Sequence, residues 1–180
     1  AHLKLYRRIA EERLVELEAG GEINAMSAGA LRSALQQVIV NWAYFAEKES
    51  LRPSVMDLID EVFEEIGEGK KLAIVAHFKR TNEYLLQNLQ QYGAHAIYGE
   101  VSKTARHKAI DAFVEDPKCR CIILQPSAAG FGVDGLQHVC SDMLVIEAPT
   151  TAPPFHQVVA RLDRDGQTEP VNCRIAIAQG

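Results

Sequence analysis

Residues Gln125–Gln167 decide the fold, and they read QPSAAGFGVDGLQHVCSDMLVIEAPTTAPPFHQVVARLDRDGQ. The segment opens with a loop of small residues, continues with the apolar run Met143–Ile146, and then turns through several Pro and Thr residues. It closes with one glutamine and two arginines at helical spacing, followed by a Gly-Gln pair. Because a glycine-containing loop after a strand commonly lies at the ligand edge of an α/β sheet, the segment predicts a ligand-binding edge.

The closing stretch predicts a helix that carries Gln157, Arg161 and Arg164 on one face. Successive residues of a helix advance by about 100°, so these side chains fall within roughly 60° of one another. A guanidinium stays charged and donates two parallel hydrogen bonds, which suits a phosphate. The alternative interpretation is a solvated helix face with two ordinary arginines.

The small-residue loop favours the functional interpretation. Gly130, Gly132 and Gly135 allow a positive φ and a close approach of another group to backbone amides. Loop, apolar strand, proline turn and Gln/Arg/Arg helix, in this order and spacing, form a more specific pattern than any one of them.

Two motifs in this segment resemble the last two signature motifs of superfamily-two helicases. They are Ser-Ala-Ala-Gly-Phe-Gly-Val-Asp at residues 127–134 and Gln-x-x-x-Arg-x-x-Arg-x-Gly-Gln at residues 157–167. The ending Arg-Asp-Gly-Gln is most similar to the Swi/Snf-type branch of double-stranded DNA translocases, and within it to compact bacterial or prophage members. The resemblance covers residues 70–178 well and residues 1–66 loosely. It implies the second, C-terminal, of two RecA-like lobes that enclose ATP.

The resemblance also implies roles for individual residues. Arg161 and Arg164 would be arginine fingers for the γ-phosphate, and Gln157, Gly132 and Asp134 would lie at the nucleotide cleft. The residues implied in contacts with the DNA backbone are Lys79, Arg80, Thr81, Ser102, Lys103 and Ser127. The alternatives for these contacts are a plain strand-to-helix turn capped by Thr81, and a helix cap with solvated charges at Ser102 and Lys103.

The sequence departs from the family pattern at several positions. Asp134 stands where many members have Asn, and Gly135 where many have Leu. The Trp-Asn-Pro turn of the family is replaced by Ala148-Pro-Thr150, and Asp163 stands where a His is commoner. Both arginines are retained, so these departures leave the finger assignment in place and affect only the expected coupling between the DNA and ATP sites.

Composition and charge bound the class of protein. The chain has 180 residues, 47% of them hydrophobic and 24% charged, with a net charge of −5. This charge argues against a broad basic surface but allows a narrow basic track. Membrane-spanning and secretory-signal patterns are not evident. The four cysteines are expected to be buried free thiols, which predicts an intracellular, cytoplasmic protein. No metal-ligand cluster is expected in this chain.

The N-terminal third predicts helices, and the remainder alternates strands with helices. Apolar spacing predicts helices over residues 3–17, 27–48 and 54–66, which form an extension or inter-lobe segment (residues 1–68). That segment either braces the other lobe or DNA, or only covers the sheet and spaces the lobes. From residue 69 onward, the short apolar runs separated by helices predict a three-layer α/β parallel sheet, and the resemblance implies that it is of the RecA-like, P-loop NTPase type (residues 69–180). The expected strands are residues 72–76, 94–98, 119–124, 143–146 and 171–178.

A phosphate-binding loop of the form G-x-x-x-x-G-K-[S/T] does not occur in the 180 residues. The chain is therefore expected to be a piece of a larger protein, whose N-terminal lobe would hold most of the ATP and the Mg²⁺. Alone it should hydrolyse ATP negligibly. The other hypotheses are a nucleic-acid- or protein-binding module that kept the fold without the motor, and an unrelated α/β nucleotide-binding enzyme. Double-stranded DNA is the favoured track, and RNA the less favoured one.

Overall fold

A computed structural model describes residues 53–129, 133–148 and 152–177. The helices are α1 (Ser54–Ile66), α2 (Lys79–Asn88), α3 (Lys103–Glu115), α4 (Pro126–Ala129) and α5 (Ala152–Val159). The strands are β1 (Leu72–Val75), β2 (His95–Ile97), β3 (Cys121–Leu124), β4 (Asp142–Val145) and β5 (Asn172–Ile175). Short 3₁₀ turns occupy Gln90–Tyr92 and Leu136–His138. A compact unit that spans Leu58–Ile177 contains the whole sheet.

The five strands form one parallel sheet in the order β2-β3-β1-β4-β5. Strand β1 is central, and Ile74 stands in register with Ile123 of β3 and Leu144 of β4. All residues of β1, β3 and β4 are buried, as expected for continuous apolar runs covered on both faces. The predicted three-layer RecA-like architecture is confirmed.

One core cluster joins the sheet to the elements that follow its strands. Phe113 of α3, Leu136 of the second 3₁₀ turn and Leu162 after α5 are each fully buried against β-strand side chains such as Ile122 and Met143. The segment around Leu136 and the chain after α5 are therefore fixed by packing. Their polar residues extend from a rigid base.

The helix predicted over residues 54–66 is found at the expected position, whereas the helix predicted after β4 ends early. Helix α1 begins at Ser54 and ends at Ile66, where Gly67 adopts a φ of 89°, as predicted. The predicted continuous helix through Gln157, Arg161 and Arg164 is wrong, because α5 ends at Val159. Beyond it the amides of Arg161 and Leu162 donate to carbonyls three residues earlier. This tighter turn still allows Leu162 to enter the core.

The cysteine prediction is confirmed for three residues and wrong for one. Cys119, Cys121 and Cys140 are buried free thiols, and burial raises the pKa of Cys140 to about 12. Cys173 is exposed because it lies on β5, an edge strand of the sheet whose residues are only partly covered. The helices predicted over residues 3–17 and 27–48 lie outside the described residues. In the part of the chain that the structure describes, no helix is long and apolar enough to cross a bilayer.

Candidate functional site

The carboxyl ends of the parallel strands meet at one edge of the sheet, which we call the carboxyl edge. His77 follows β1, Gln125 follows β3 and Glu147 follows β4, each within two residues of its strand. Because α/β sheets bind ligands outside these ends, the carboxyl edge is the candidate site. Most of the residues that the sequence singles out lie in turns along it.

Two arginines of the predicted site come together at the loop after β3. Arg161 donates through Nη1 to the carbonyl oxygen of Val133 at 3.3 Å. Arg164 donates through Nη1 to Oδ1 of Asp134 at 2.9 Å. The structure thus places Arg161, Arg164 and Asp134 side by side, although the arginines lie in a turn and not on one helix face.

Asp134 is held as an anion by its surroundings. The backbone amide of Gly135, the side chain of Gln137 and the guanidinium of Arg164, in decreasing order, lower the pKa of this carboxyl. Gln137 donates to Asp134 at 3.3 Å and accepts from the Gly135 amide at 3.0 Å. The carboxylate is exposed, so it can exchange partners with solvent or with another ligand.

Gly166 and Gln167 fix the turn that carries the arginines. Gly166 has a φ of 96°, and a Cβ at this position would lie 2.4 Å from Cε1 of His138. The side-chain Nε2 of Gln167 donates to the carbonyl oxygens of Cys140 at 2.9 Å and Leu162 at 3.3 Å. The Gly-Gln pair of the motif therefore has a structural role, because it anchors the arginine turn to the segment before β4.

Gln157 and Gly132 are the other two residues predicted at the cleft, and the structure describes only the first of them. Gln157 is exposed on α5, and no hydrogen bond joins it to the arginine turn among the contacts described here. Gly132 lies outside the described residues.

The β1–α2 turn, which we define as residues 77–80 and which includes the first two residues of α2, presents two cations to solvent. Lys79 and Arg80 are exposed at the start of α2. Lys79 forms an ion pair with Glu100, in the turn after β2, and lies 3.8 Å from Glu83 one helical turn away. Its hydrogen bond to Glu100 raises the pKa of Lys79. The β1 and β2 turns are therefore adjacent at the carboxyl edge.

Thr81 differs from its two neighbours because it is buried. It is the third residue of α2, and Phe78 is the N-cap, so Thr81 does not cap the helix as one interpretation expected. Its hydroxyl donates to Oε1 of Glu147 at 2.6 Å. In this arrangement the hydroxyl is committed to an internal carboxylate.

Ser102, Lys103 and Ser127 occupy the turns after β2 and β3. The Ser102 hydroxyl accepts from the amide of Ala105 at 3.2 Å and so caps α3, while Lys103 is exposed beside it. Ser127 is exposed on α4. Arg106 of α3 donates to the carbonyl oxygen of Ala128 at 3.3 Å, which ties α4 to α3.

Sequence reasoning missed Glu147, the residue that organises the β1–α2 turn. It is 2% exposed and accepts from the amide of Phe78 at 2.9 Å as well as from Thr81. Burial raises its pKa to about 7, and hydrogen bonds from Thr81, Phe78 and His77 oppose that rise. A buried carboxylate thus occupies the N-terminus of α2.

Gln125 and Asn82 complete the support of the same turn. Gln125 donates to the carbonyl oxygen of His77 at 2.9 Å and accepts from the amide of Gly99 at 2.8 Å, which joins the turns after β1, β2 and β3. Asn82 is fully buried and donates to the carbonyl oxygens of Ala76 and Phe78. The sequence feature that could have indicated these residues is a polar residue next to a buried strand. Gln125 directly follows β3, and Glu147 lies near the end of β4.

The arrangement can hold anions at two places, the arginine turn and the exposed cations of the β1 and β2 turns. No group of three or more His, Cys, Asp or Glu side chains that could hold a metal ion is found in residues 53–129, 133–148 and 152–177. The exposed cations of the described residues offer anion binding and charge stabilisation.

Comparison with known proteins gives a family and a fold. The sequence pattern of the helicase conserved C-terminal domain matches residues 54–166, which is more than half of the chain. No curated protein matches the chain closely enough to indicate a relationship.

Several solved structures share this architecture. The SWI2/SNF2 ATPase core of Sulfolobus solfataricus in complex with dsDNA superposes with a TM-score of 0.76 at 22% identity, covering 98% of this chain and 38% of that one. The C-terminal domain of the same ATPase gives 0.68 at 22% identity, covering 81% and 66%. The C-terminal part of the Fun30 ATPase domain gives 0.63 at 21% identity, covering 79% and 48%. The chain thus spans less than half of the Sulfolobus ATPase core.

Proposed function

The chain belongs to the family of helicase conserved C-terminal domains, and from that premise we propose that it is the C-terminal motor lobe of an ATP-dependent, SWI2/SNF2-like DNA translocase. The observation that carries the proposal is the arginine pair at the carboxyl edge. Arg161 and Arg164 lie on one fixed turn, and both donate to oxygen acceptors of residues 133–134. A site that holds two guanidiniums against oxygen atoms suits the oxygens of a phosphate.

Arg161 and Arg164 would act as the arginine fingers. ATP, when bound between two lobes, supplies a phosphoryl group whose transfer spreads negative charge over its oxygens. Preorganised guanidiniums stabilise that charge without reorganising during the reaction. The Asp134 carboxylate occupies Arg164 in the present arrangement and would exchange with phosphate oxygens. Gln157, Gly132 and Asp134 would line the same cleft.

Hydrolysis would require a second lobe of the same polypeptide. The 180 residues contain no phosphate-binding loop motif, and the matched ATPase core is more than twice as long as the region this chain covers. We assign the binding of the α- and β-phosphates and of Mg²⁺ to an N-terminal RecA-like lobe. The present chain alone would turn over ATP negligibly.

Duplex DNA is the proposed track. The similar Sulfolobus structure is described as a complex with dsDNA, and the Arg-Asp-Gly-Gln ending resembles duplex translocases more than RNA helicases. Lys79, Arg80 and Lys103 are exposed along one edge, with Ser102 and Ser127 beside them, and cations in this position neutralise backbone phosphates. Thr81 belongs to the same proposed contact region but is buried beneath it.

The test is ATP hydrolysis by the full-length polypeptide that contains both lobes, measured without nucleic acid, with duplex DNA and with duplex RNA. Wild type should be stimulated by duplex DNA. Arg164→Ala should lose on the order of a thousandfold in turnover while it still binds nucleotide. Circular dichroism and a thermal midpoint for both proteins show that each is folded.

Two results would redirect the proposal. A wild type without nucleic-acid-dependent turnover would remove the motor and leave the alternative, a binding module that kept the RecA-like fold. A wild type with DNA-dependent turnover and an Arg164→Ala variant of equal rate would retain the motor but exclude Arg164 as its finger.

A further inference from the structure

The β1–α2 turn is held from three sides by buried polar side chains. Gln125 holds it from β3, Asn82 from within α2, and Glu147 from the end of β4. Glu147 is the only one of the three that carries a charge, and it is almost completely buried. Such a residue is costly to keep, because burying a carboxylate without a cation disfavours folding.

Glu147 is compensated by hydrogen-bond donors of the turn itself. The amide of Phe78 and the hydroxyl of Thr81 donate to separate oxygens, Oε2 at 2.9 Å and Oε1 at 2.6 Å. Both donors flank Lys79 and Arg80, the two exposed cations of the turn. Because the carboxylate holds the residues on each side of Lys79 and Arg80, it fixes the backbone positions from which both cationic side chains extend.

We propose that Glu147 is a positioning residue that fixes the β1–α2 turn from strand β4, so that Lys79 and Arg80 are presented together to the nucleic-acid backbone. The inference rests on the proposed function for the identity of the ligand. It adds Glu147 and Thr81 as residues that act through Lys79 and Arg80 without touching the phosphates. The internal carboxylate occupies the N-terminus of α2. The phosphate would therefore be bound by the side chains of Lys79 and Arg80 and not by the backbone amides of that helix end.

The substitution Glu147→Gln separates hydrogen bonding from charge. A glutamine oxygen can still accept from the Phe78 amide, and its amide can donate to the Thr81 hydroxyl, which accepts as well as donates. Glu147→Ala removes both bonds. Thr81→Val removes one bond and keeps the carboxylate. Asp142→Asn is the matched control, because Asp142 is also a buried carboxylate and lies at the amino end of β4, whereas Glu147 lies just beyond its carboxyl end.

The first measurement is binding of a fluorescein-labelled duplex DNA by the full-length polypeptide over a series of salt concentrations, below the thermal midpoint of every variant. The slope of log K against log salt counts the phosphates neutralised, at about 0.9 each. Glu147→Ala should make this negative slope shallower by about one to two and weaken binding on the order of tenfold. Glu147→Gln and Asp142→Asn should keep the wild-type slope. Thr81→Val should fall between the two.

The second measurement is hydrogen–deuterium exchange of the amides in residues 77–82, which needs no ligand. Glu147→Ala should lose protection there while β1 and β3 keep theirs, and Glu147→Gln should resemble wild type. An unchanged slope together with unchanged protection in Glu147→Ala would overturn the inference. If wild type binds no duplex DNA, the proposed function fails, and the exchange data still decide whether Glu147 positions the turn.

Discussion

One buried carboxylate lies at the amino end of strand β4 and another lies two residues beyond its carboxyl end, and the two are compensated in different ways. At the amino end, Asp142 accepts from Nη1 of Arg174 on β5 at 2.8 Å, and the Ser141 hydroxyl lies 3.3 Å away. At the carboxyl end, Glu147 is held by hydrogen-bond donors of the β1–α2 turn, and burial dominates its pKa. A paired charge stabilises the sheet, whereas a carboxylate without a cation is retained at a cost.

The cations at the amino and carboxyl edges of the sheet also differ in the kind of partner that they have. At the amino edge, the buried Lys71 donates to the carbonyl oxygens of Phe113 and Asp116, and burial lowers its pKa. At the carboxyl edge, Arg164 and Lys79 pair with exposed carboxylates. The partners of Lys71 are internal and fixed, whereas the partners of Arg164 and Lys79 are exposed and can be exchanged for a ligand. We infer that the amino edge serves stability and the carboxyl edge serves binding.

The largest expected effect compares an arginine from each edge. In the full-length polypeptide, Arg161→Ala should reduce DNA-stimulated ATP turnover on the order of a thousandfold, because a finger acts only on charge in the transition state. Arg174→Ala should leave turnover unchanged at a temperature below its midpoint, but lower that midpoint, since Asp142 loses its cation. Steady-state kinetics and thermal unfolding of both variants check this.

Either of two results would contradict the assignment of stability to the amino edge and of binding to the carboxyl edge. If Arg174→Ala lost turnover while its folded fraction and midpoint stayed at the wild-type values, the amino edge would take part in the reaction. If Arg161→Ala lowered the midpoint as much as Arg174→Ala, its bond to the Val133 carbonyl would be mainly structural.

A smaller effect is expected from the pH dependence of stability. The pKa of Glu147 is about 7 in the folded chain against an ordinary 4.5, so the native state binds more protons between these values. Stability contributed by this group is therefore present at low pH and decreases as pH rises from about 4.5 to about 7. Above pH 7, Glu147→Gln should be more stable than wild type by at most about 3 kcal/mol. Denaturant unfolding at a series of pH values measures the difference.

The difference between wild type and variant isolates Glu147 from its neighbour. The neighbouring His77 is also titratable, and burial lowers its pKa, but it is present in both proteins. A difference that stays constant from pH 4 to pH 8 would show that Glu147 is not the titrating group, and the contrast with Asp142 would then lose its electrostatic basis.

Much of the sheet could be predicted from sequence, because a continuous apolar run bounded by turns has few alternatives in an α/β chain. Leu72–Val75 and Cys121–Leu124 are such runs, and both are buried parallel strands. The end of α5 was predicted incorrectly, since helical spacing of Gln157, Arg161 and Arg164 does not reveal that the turn tightens after Val159.

The candidate site was predictable in part for a related reason. Arg161, Arg164 and Asp134 belong to motifs, and the structure brings them together. Glu147 belongs to a tertiary network, and its partners Phe78 and Thr81 lie more than 60 residues earlier in the chain. Helical or strand periodicity carries no information on such a contact, so only a three-dimensional arrangement reveals it.

The smallest expected effect concerns the exposed pair of Asp134 and Arg164, which tests how exchangeable a partner at the carboxyl edge is. Asp134→Asn restores the residue that many family members have and should leave the thermal midpoint unchanged, because exposed ion pairs contribute little. It should raise turnover at subsaturating ATP by at most about fivefold, since a carboxylate at residue 134 no longer competes with the γ-phosphate for Arg164. Asp163→Asn, an exposed neighbour in the same turn, removes the same charge and serves as the control. The gain should shrink at high salt, where the pair is screened. Equal gains from both variants would assign the effect to net charge, and a loss of turnover in Asp134→Asn alone would show that the carboxylate orients Arg164 for the reaction.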